Sequence, residues 1–100
     1  SEVADALARR ATIQEQLSAE RSLVAAATRS YNLSFARYKG GVDSFQNALE
    51  AQRTMYSAKQ SLIITRQADL DNRITLYRVL GGGLAEQPIA LQEAPSSTSN

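Results

Sequence analysis

The chain of 100 residues has no cysteine, no histidine and no tryptophan. Without cysteine there is no disulfide and no thiol nucleophile; without histidine there is no Ser-His-Asp arrangement, and zinc sites of the usual kind are excluded. Glycine is scarce, at 5 residues, and proline scarcer, at 2. Large rings are few, so a core must be built from Ala and Leu rather than aromatics. Charge of one sign is lacking too. Lys plus Arg number 11 and Asp plus Glu 10, a formal net charge of +1. That balance argues against a polyanion binder, which needs a clustered basic face. The longest apolar run is five residues, Leu23 to Ala27, against about 20 for a membrane-spanning helix. The first residues, Ser-Glu-Val-Ala-Asp, form no signal peptide and include no initiator Met. The expectation is a fragment of a longer protein, or one small domain.

What is present is divided by the scarce residues. Residues 1–39 contain neither Gly nor Pro, Gly40-Gly41 make a first break, residues 42–80 again contain neither, and Gly81-Gly82-Gly83 make a second. Long breaker-free stretches rich in Ala, Leu, Glu, Gln and Arg favour helix. The organisation predicted is a first long helix over 1–39 and a tip turn over 40–44. A second long helix follows over 45–80, then a helix stop with a flexible tail over 81–100. The fold class is all-α, an antiparallel coiled-coil-like hairpin with each helix roughly 50 to 60 Å long.

Apolar residues recur every seven positions. Leu17, Val24, Tyr31 and Tyr38 do so in the first helix; Leu49, Tyr56, Ile63, Leu70 and Tyr77 in the second. Ala48, Met55, Leu62 and Leu76 lie one position earlier and widen the second stripe, with Asp69 interrupting. A seven-residue period is a coiled-coil seam, not the two-residue alternation of a strand. Facing Tyr38 with Leu49, Tyr31 with Tyr56, Val24 with Ile63 and Leu17 with Leu70 centres the fold-back between Asp43 and Ser44. Arg10 then faces Tyr77, and Val3 faces Leu84. Gly40 or Gly41 is expected to adopt the left-handed conformation, and Asp43 to cap the second helix with Gln46 reaching back. Leu7, Ile13, Leu23 and Phe35, then Phe45, Ile64, Ile74 and Val79, fall outside the seam. They call for further helices around the hairpin.

No constellation for catalysis appears. Asp69 and Asp71, two apart on a helix, point in different directions, and Glu15 and Glu20 are five apart. Gly81-Gly82-Gly83 follows a helix and lacks a Lys-Ser/Thr ending, so it is no phosphate loop. Arg53, Lys59, Arg66 and Arg73 are read as seam-flanking charges paired with acids on neighbouring helices, not as a nucleic-acid ridge. The region Arg37-Tyr38-Lys39-Gly40-Gly41-Val42-Asp43-Ser44, followed by Asn47, Glu50 and Arg53 at helical spacing, supports two readings. One is a capped turn with solvated residues; the other is a protein-contacting tip with a polar constriction behind it.

The sequence resembles the carboxy-terminal helical hairpin of the TolC family of outer-membrane efflux proteins, more closely its drug-efflux lipoprotein branch. The resemblance spans residues 25–84. It rests on Arg37-Tyr38-x-x-Gly41-Val42-Asp43-Ser44, Leu49-x-Ala51-Gln52-Arg53, Ala58, Leu62 and Arg66, and Leu76-Tyr77-Arg78-x-Leu80-Gly81-Gly82-Gly83. Many relatives carry Trp where this chain has Leu84, Asp is frequent at the Glu50 position, and some have an acid where this chain has Asn47. The resemblance implies one hairpin of a trimeric α-barrel tunnel, in the periplasm of a Gram-negative bacterium, below a barrel in the outer membrane. It implies a passive conduit with no cofactor, no metal and no nucleic acid. Membrane contact comes through parent regions absent here. It implies a homotrimer that meets a periplasmic adaptor (membrane fusion) protein and, through it, an inner-membrane pump, with antibiotic resistance as the consequence. Carried over by position, Asn47, Glu50 and Arg53 are gate residues supported by Tyr38, and Arg37, Gly41, Val42, Asp43 and Ser44 contact the adaptor. The competing reading is a self-contained coiled-coil scaffold that forms a four-helix bundle from two copies.

Overall fold

A computed structural model describes residues 1–84, with side chains described as far as Gly81. Among the described residues two helices make up the fold: α1 over Glu2–Lys39 and α2 over Phe45–Leu84. They fold back on each other as a long hairpin. Ser1 caps α1, its hydroxyl accepting from the Ala4 N–H at 3.2 Å. Glu2 and Asp5 in the first turn, and Arg37 and Lys39 in the last, suit the helix dipole. The second helix does not stop at residue 80. It continues through Gly81, Gly82 and Gly83 to Leu84, because glycine weakens a helix without blocking its hydrogen bonds as proline does. The expected tail over 85–100 lies outside the described residues.

The buried seam is a seven-residue pattern on both helices. On α1, Leu17 with the half-buried Val24 and Tyr31 forms one series, as the spacing predicts. Ala6, Ile13 and Ala27 form the second. Ile13, placed outside the seam by the sequence reading, is 3% exposed and packs with Leu17 and Leu62. Val24 packs against these three and also against the Ala27–Met55–Ala58 cluster nearer the turn.

On α2 the expected stripe is displaced by one residue. Ala48, Met55 and Leu62 are buried with Ala58, Thr65 and Asn72. Tyr56, Ile63, Leu70 and Tyr77 are exposed, Tyr77 by 81%. One residue is about 100° of helical rotation, so the two stripes point in different directions. The register differs as well. Arg10 meets Asp69, not Tyr77, and Leu17 meets Leu62, not Leu70. Side-chain size favoured the other stripe, but four of the eight buried apolar residues are alanine. Small side chains in the seam let two helices approach closely. Leu7, Leu23, Phe35, Phe45, Ile64 and Ile74 remain outside the seam and exposed, as expected.

Candidate functional site

The turn is built from consecutive backbone devices. Gly40 ends α1 in the right-handed region, and Gly41 takes the positive φ of +79°. The Gly41 N–H donates to the Tyr38 carbonyl at 3.0 Å, and the Val42 N–H to the Arg37 carbonyl at 2.9 Å. This pair of bonds is a Schellman closure with Gly41 as its left-handed residue.

The cap of α2 is Ser44, not Asp43. The Ser44 hydroxyl accepts from the Asn47 N–H at 3.2 Å. Asp43, one residue earlier, takes three other donors. They are the Ser44 N–H at 2.8 Å, the Asn47 side-chain amide at 2.6 Å and the Arg37 guanidinium at 3.4 Å. Gln46 is not needed: Asn47, three residues after the cap, is the one that reaches back. The Ser44 N–H and then the Asn47 amide hold the Asp43 carboxyl below its ordinary range against desolvation, with a lesser contribution from the Arg37 guanidinium.

The expected adaptor residues therefore form one connected group. Arg37, Asp43 and Ser44 share hydrogen bonds, with Gly41 shaping the turn and Val42 presented to solvent at 65% exposure. Asn47 belongs to this group rather than to Glu50 and Arg53. Those two form a separate pair, a contact of 3.9 Å between exposed side chains. Both also line a shallow groove of about 300 Å³ with Leu23 of α1 and Thr54, Ser57, Ala58 and Ser61 of α2. An exposed pair of this kind contributes little to stability, which leaves it free for other use.

Tyr38 lies in a string of rings. Tyr31 and Phe35 stack at 5.8 Å between centroids, Phe35 and Tyr38 lie 6.2 Å apart, and Tyr38 meets Phe45 of α2 at 5.1 Å. Lys39 Nζ sits 5.5 Å from the centre of the Phe35 ring. Only the Tyr38–Phe45 contact of this string crosses from α1 to α2, beside the turn. Sequence reading left Phe35 and Phe45 as unplaced apolar residues. Their position four or five residues on either side of the glycine pair was the available signal.

The basic residues of α2 pair within their own helix where they pair at all: Arg53 with Glu50, and Arg73 with Asp69 at 3.2 Å. Pairing with acids on neighbouring helices was the expectation. Intrahelical spacings of three and four residues bring these pairs together, and the expected neighbouring helices are not part of this chain. Among the described residues no group of His, Cys, Asp and Glu is placed to hold a metal ion, and no helix is long and apolar enough to cross a membrane.

The hairpin thus has a Schellman tip, a capped second helix and an exposed apolar stripe. Residues 1–82 match the family described as outer membrane efflux protein. The chain belongs to this family. Among its relatives are the toluene efflux pump outer membrane protein TtgC and the antibiotic efflux pump outer membrane protein ArpC, both of Pseudomonas putida. Each is 48% identical over 86 residues, covering 86% of this chain and 18% of the relative. The cation efflux system protein CusC of Escherichia coli is 37% identical over 82 residues, covering 82% of this chain and 18% of CusC. The chain thus spans under a fifth of these relatives' length. No solved structure matches it.

Proposed function

We propose that this chain is one helical hairpin of the periplasmic tunnel wall of an outer-membrane efflux channel. The channel is a homotrimer and a passive conduit, without catalytic groups of its own, in a tripartite pump. The observation that carries the reading is the exposed stripe Tyr56, Ile63, Leu70 and Tyr77 along α2, beside the buried two-helix seam. A wall element needs such a face, because its neighbours supply the rest of the core. The names of the relatives support a conduit indifferent to cargo. Similar segments occur in proteins named for toluene, antibiotic and cation efflux.

At the tip, Arg37, Gly41, Val42, Asp43 and Ser44 dock a periplasmic adaptor, which links the tunnel to an inner-membrane pump. Glu50 and Arg53, with Asn47 next to the turn and Tyr38 behind it, form the closed entrance. Copies of Glu50 brought together around a three-fold axis repel unless each is paired or hydrated, and Arg53 is the partner at hand.

The test uses the full-length channel. Glu50→Ala and Arg53→Ala are expected to raise the conductance of the closed state and to increase antibiotic sensitivity. Unchanged conductance and sensitivity in both variants overturn the gate. Gly41→Pro and Asp43→Lys are expected to reduce crosslinking to the adaptor while trimers still assemble, and normal crosslinking overturns the docking assignment. The exposed stripe also suits a scaffold made of two copies. A discrete dimer of this chain that stays helical at nanomolar concentration in sedimentation equilibrium favours that reading instead.

A further inference from the structure

The seam carries polar groups where apolar ones were at hand. On α2 it buries Thr65 and Asn72, each 3% exposed, and half-buries Asp69. One residue round the helix, Tyr56, Ile63, Leu70 and Tyr77 stay in solvent. That second face also brings Lys59, Arg66 and Arg73 inward in place of Ala58, Thr65 and Asn72, so apolar area alone does not rank the two faces.

The polar groups of the observed face add directional bonds between the helices. Arg10 of α1 reaches across to one carboxylate oxygen of Asp69. The other oxygen accepts from Arg73 Nε at 3.2 Å. One turn further along α2, Asn72 donates from Nδ2 to the Ala6 carbonyl at 3.1 Å, one turn away from Arg10 on α1. Two adjacent turns of each helix are thus joined by directional bonds. Rotating α2 by one residue swings Asp69 and Asn72 about 100° away. The half-buried Arg10 guanidinium then loses its carboxylate partner inside the seam, which is unfavourable, and the Ala6 carbonyl keeps only its intrahelical bond. Polar satisfaction is incomplete even in the observed arrangement, since Arg10 Nε and Asn72 Oδ1 are buried without partners. Groups retained at such a cost resemble the polar seam residues that set register in coiled coils at the expense of stability.

We infer that Arg10, Asp69 and Asn72 form a clamp that selects which face of α2 packs on α1, and therefore which apolar face stays outside. The helix between Phe45 and Leu80 contains no Gly or Pro. Its setting at Asp69 consequently also fixes the direction of Glu50, about 28 Å along the same rod.

The absence of cysteine allows a direct test. Nitroxide labels are placed at Glu15 and Gln60, both exposed and outside the clamp, and their separation is measured by pulsed electron resonance on the intact chain. The unaltered clamp is expected to yield one narrow distance. In a variant with Arg10→Leu, Asp69→Leu and Asn72→Leu, helical content is expected to persist while a second population appears. It is displaced because rotating α2 by one residue carries the label at Gln60 about 100° round the helix axis. The swapped pair Arg10→Asp with Asp69→Arg is expected to restore a single distance. The inference is overturned by a single unshifted distance in the leucine variant, by several distances with the clamp intact, or by a swap that stays split. Loss of helix in the leucine variant also overturns it, since the three residues would then supply stability rather than selection.

Discussion

At the tip of the hairpin, every hydrogen bond joins residues no more than six apart; at the open end, the bonds that hold α1 to α2 join residues 59 and 66 apart. The tip is closed by a glycine, a serine and an aspartate acting on their immediate neighbours. The open end is closed by Arg10, Asp69 and Asn72, which meet only when two long helices are already in one register. The difference teaches that this hairpin carries two kinds of instruction. The turn specifies where the chain reverses, and the distant polar pairs specify how the two rods are rotated once it has done so.

The comparison is most easily broken at the seam. Ile13→Ala is expected to destabilise the hairpin by about 3 kcal/mol, as large-to-small changes at buried sites do. Tyr77→Ala, on the exposed stripe, is expected to change it by less than about 0.5 kcal/mol. Urea unfolding followed by circular dichroism separates them, and similar values for both would mean that the exposed stripe is part of the hairpin's own core.

At the tip the effects are smaller. Gly41→Ala forces a β-carbon into a left-handed backbone at φ +79°, and should cost about 1 to 2 kcal/mol. Gly40→Ala, in right-handed backbone, should cost less. Thermal unfolding of the two variants side by side checks the ranking. Ser44→Ala removes the cap of α2 and should cost about 1 kcal/mol. Hydrogen exchange is expected to rise at the Asn47 amide and to remain unchanged around Asn72, because the cap is a local device.

Acid gives the finest comparison, because each end holds one carboxyl below its ordinary value of 3.8. Asp43 is held there chiefly by the Ser44 N–H, and Asp69 chiefly by Arg10. A depressed folded-state value means that each group contributes stability above the ordinary carboxylate range, and that this is lost as pH falls through the folded value. Stability is therefore expected to decline below about pH 4. Asp43→Asn should remove the tip's share of that decline, and Asp69→Asn the open end's. An acid titration that neither substitution alters would show that these carboxyls are not linked to folding.

The architecture was legible because helix formation and chain reversal depend on close neighbours. Two stretches without Gly or Pro, separated by Gly40-Gly41, announced two helices and a turn. The surplus of apolar residues announced a face for other partners. The candidate positions at the tip were legible as a group, but Asn47 was placed with Glu50, whereas its amide turns back to Asp43. The cap was misassigned between Asp43 and Ser44 because both are good capping residues, and only the path of the backbone decides which hydroxyl or carboxylate reaches the Asn47 N–H. The glycine triplet was read as a stop, yet α2 runs through it.

By itself the sequence determined that this protein is two long helices joined by a tight turn, since breakers, caps and seven-residue periods act over a few residues at a time. Only the tertiary structure decided that Met55 and Leu62 face α1 while Tyr56 and Ile63 face outward, and that Arg10 meets Asp69 rather than Tyr77. Two neighbouring stripes of similar period differ by a single residue, about 100° of rotation. The preference between them rests on pairs such as Arg10 with Asp69 and Asn72 with Ala6, which exist only after the chain has folded back.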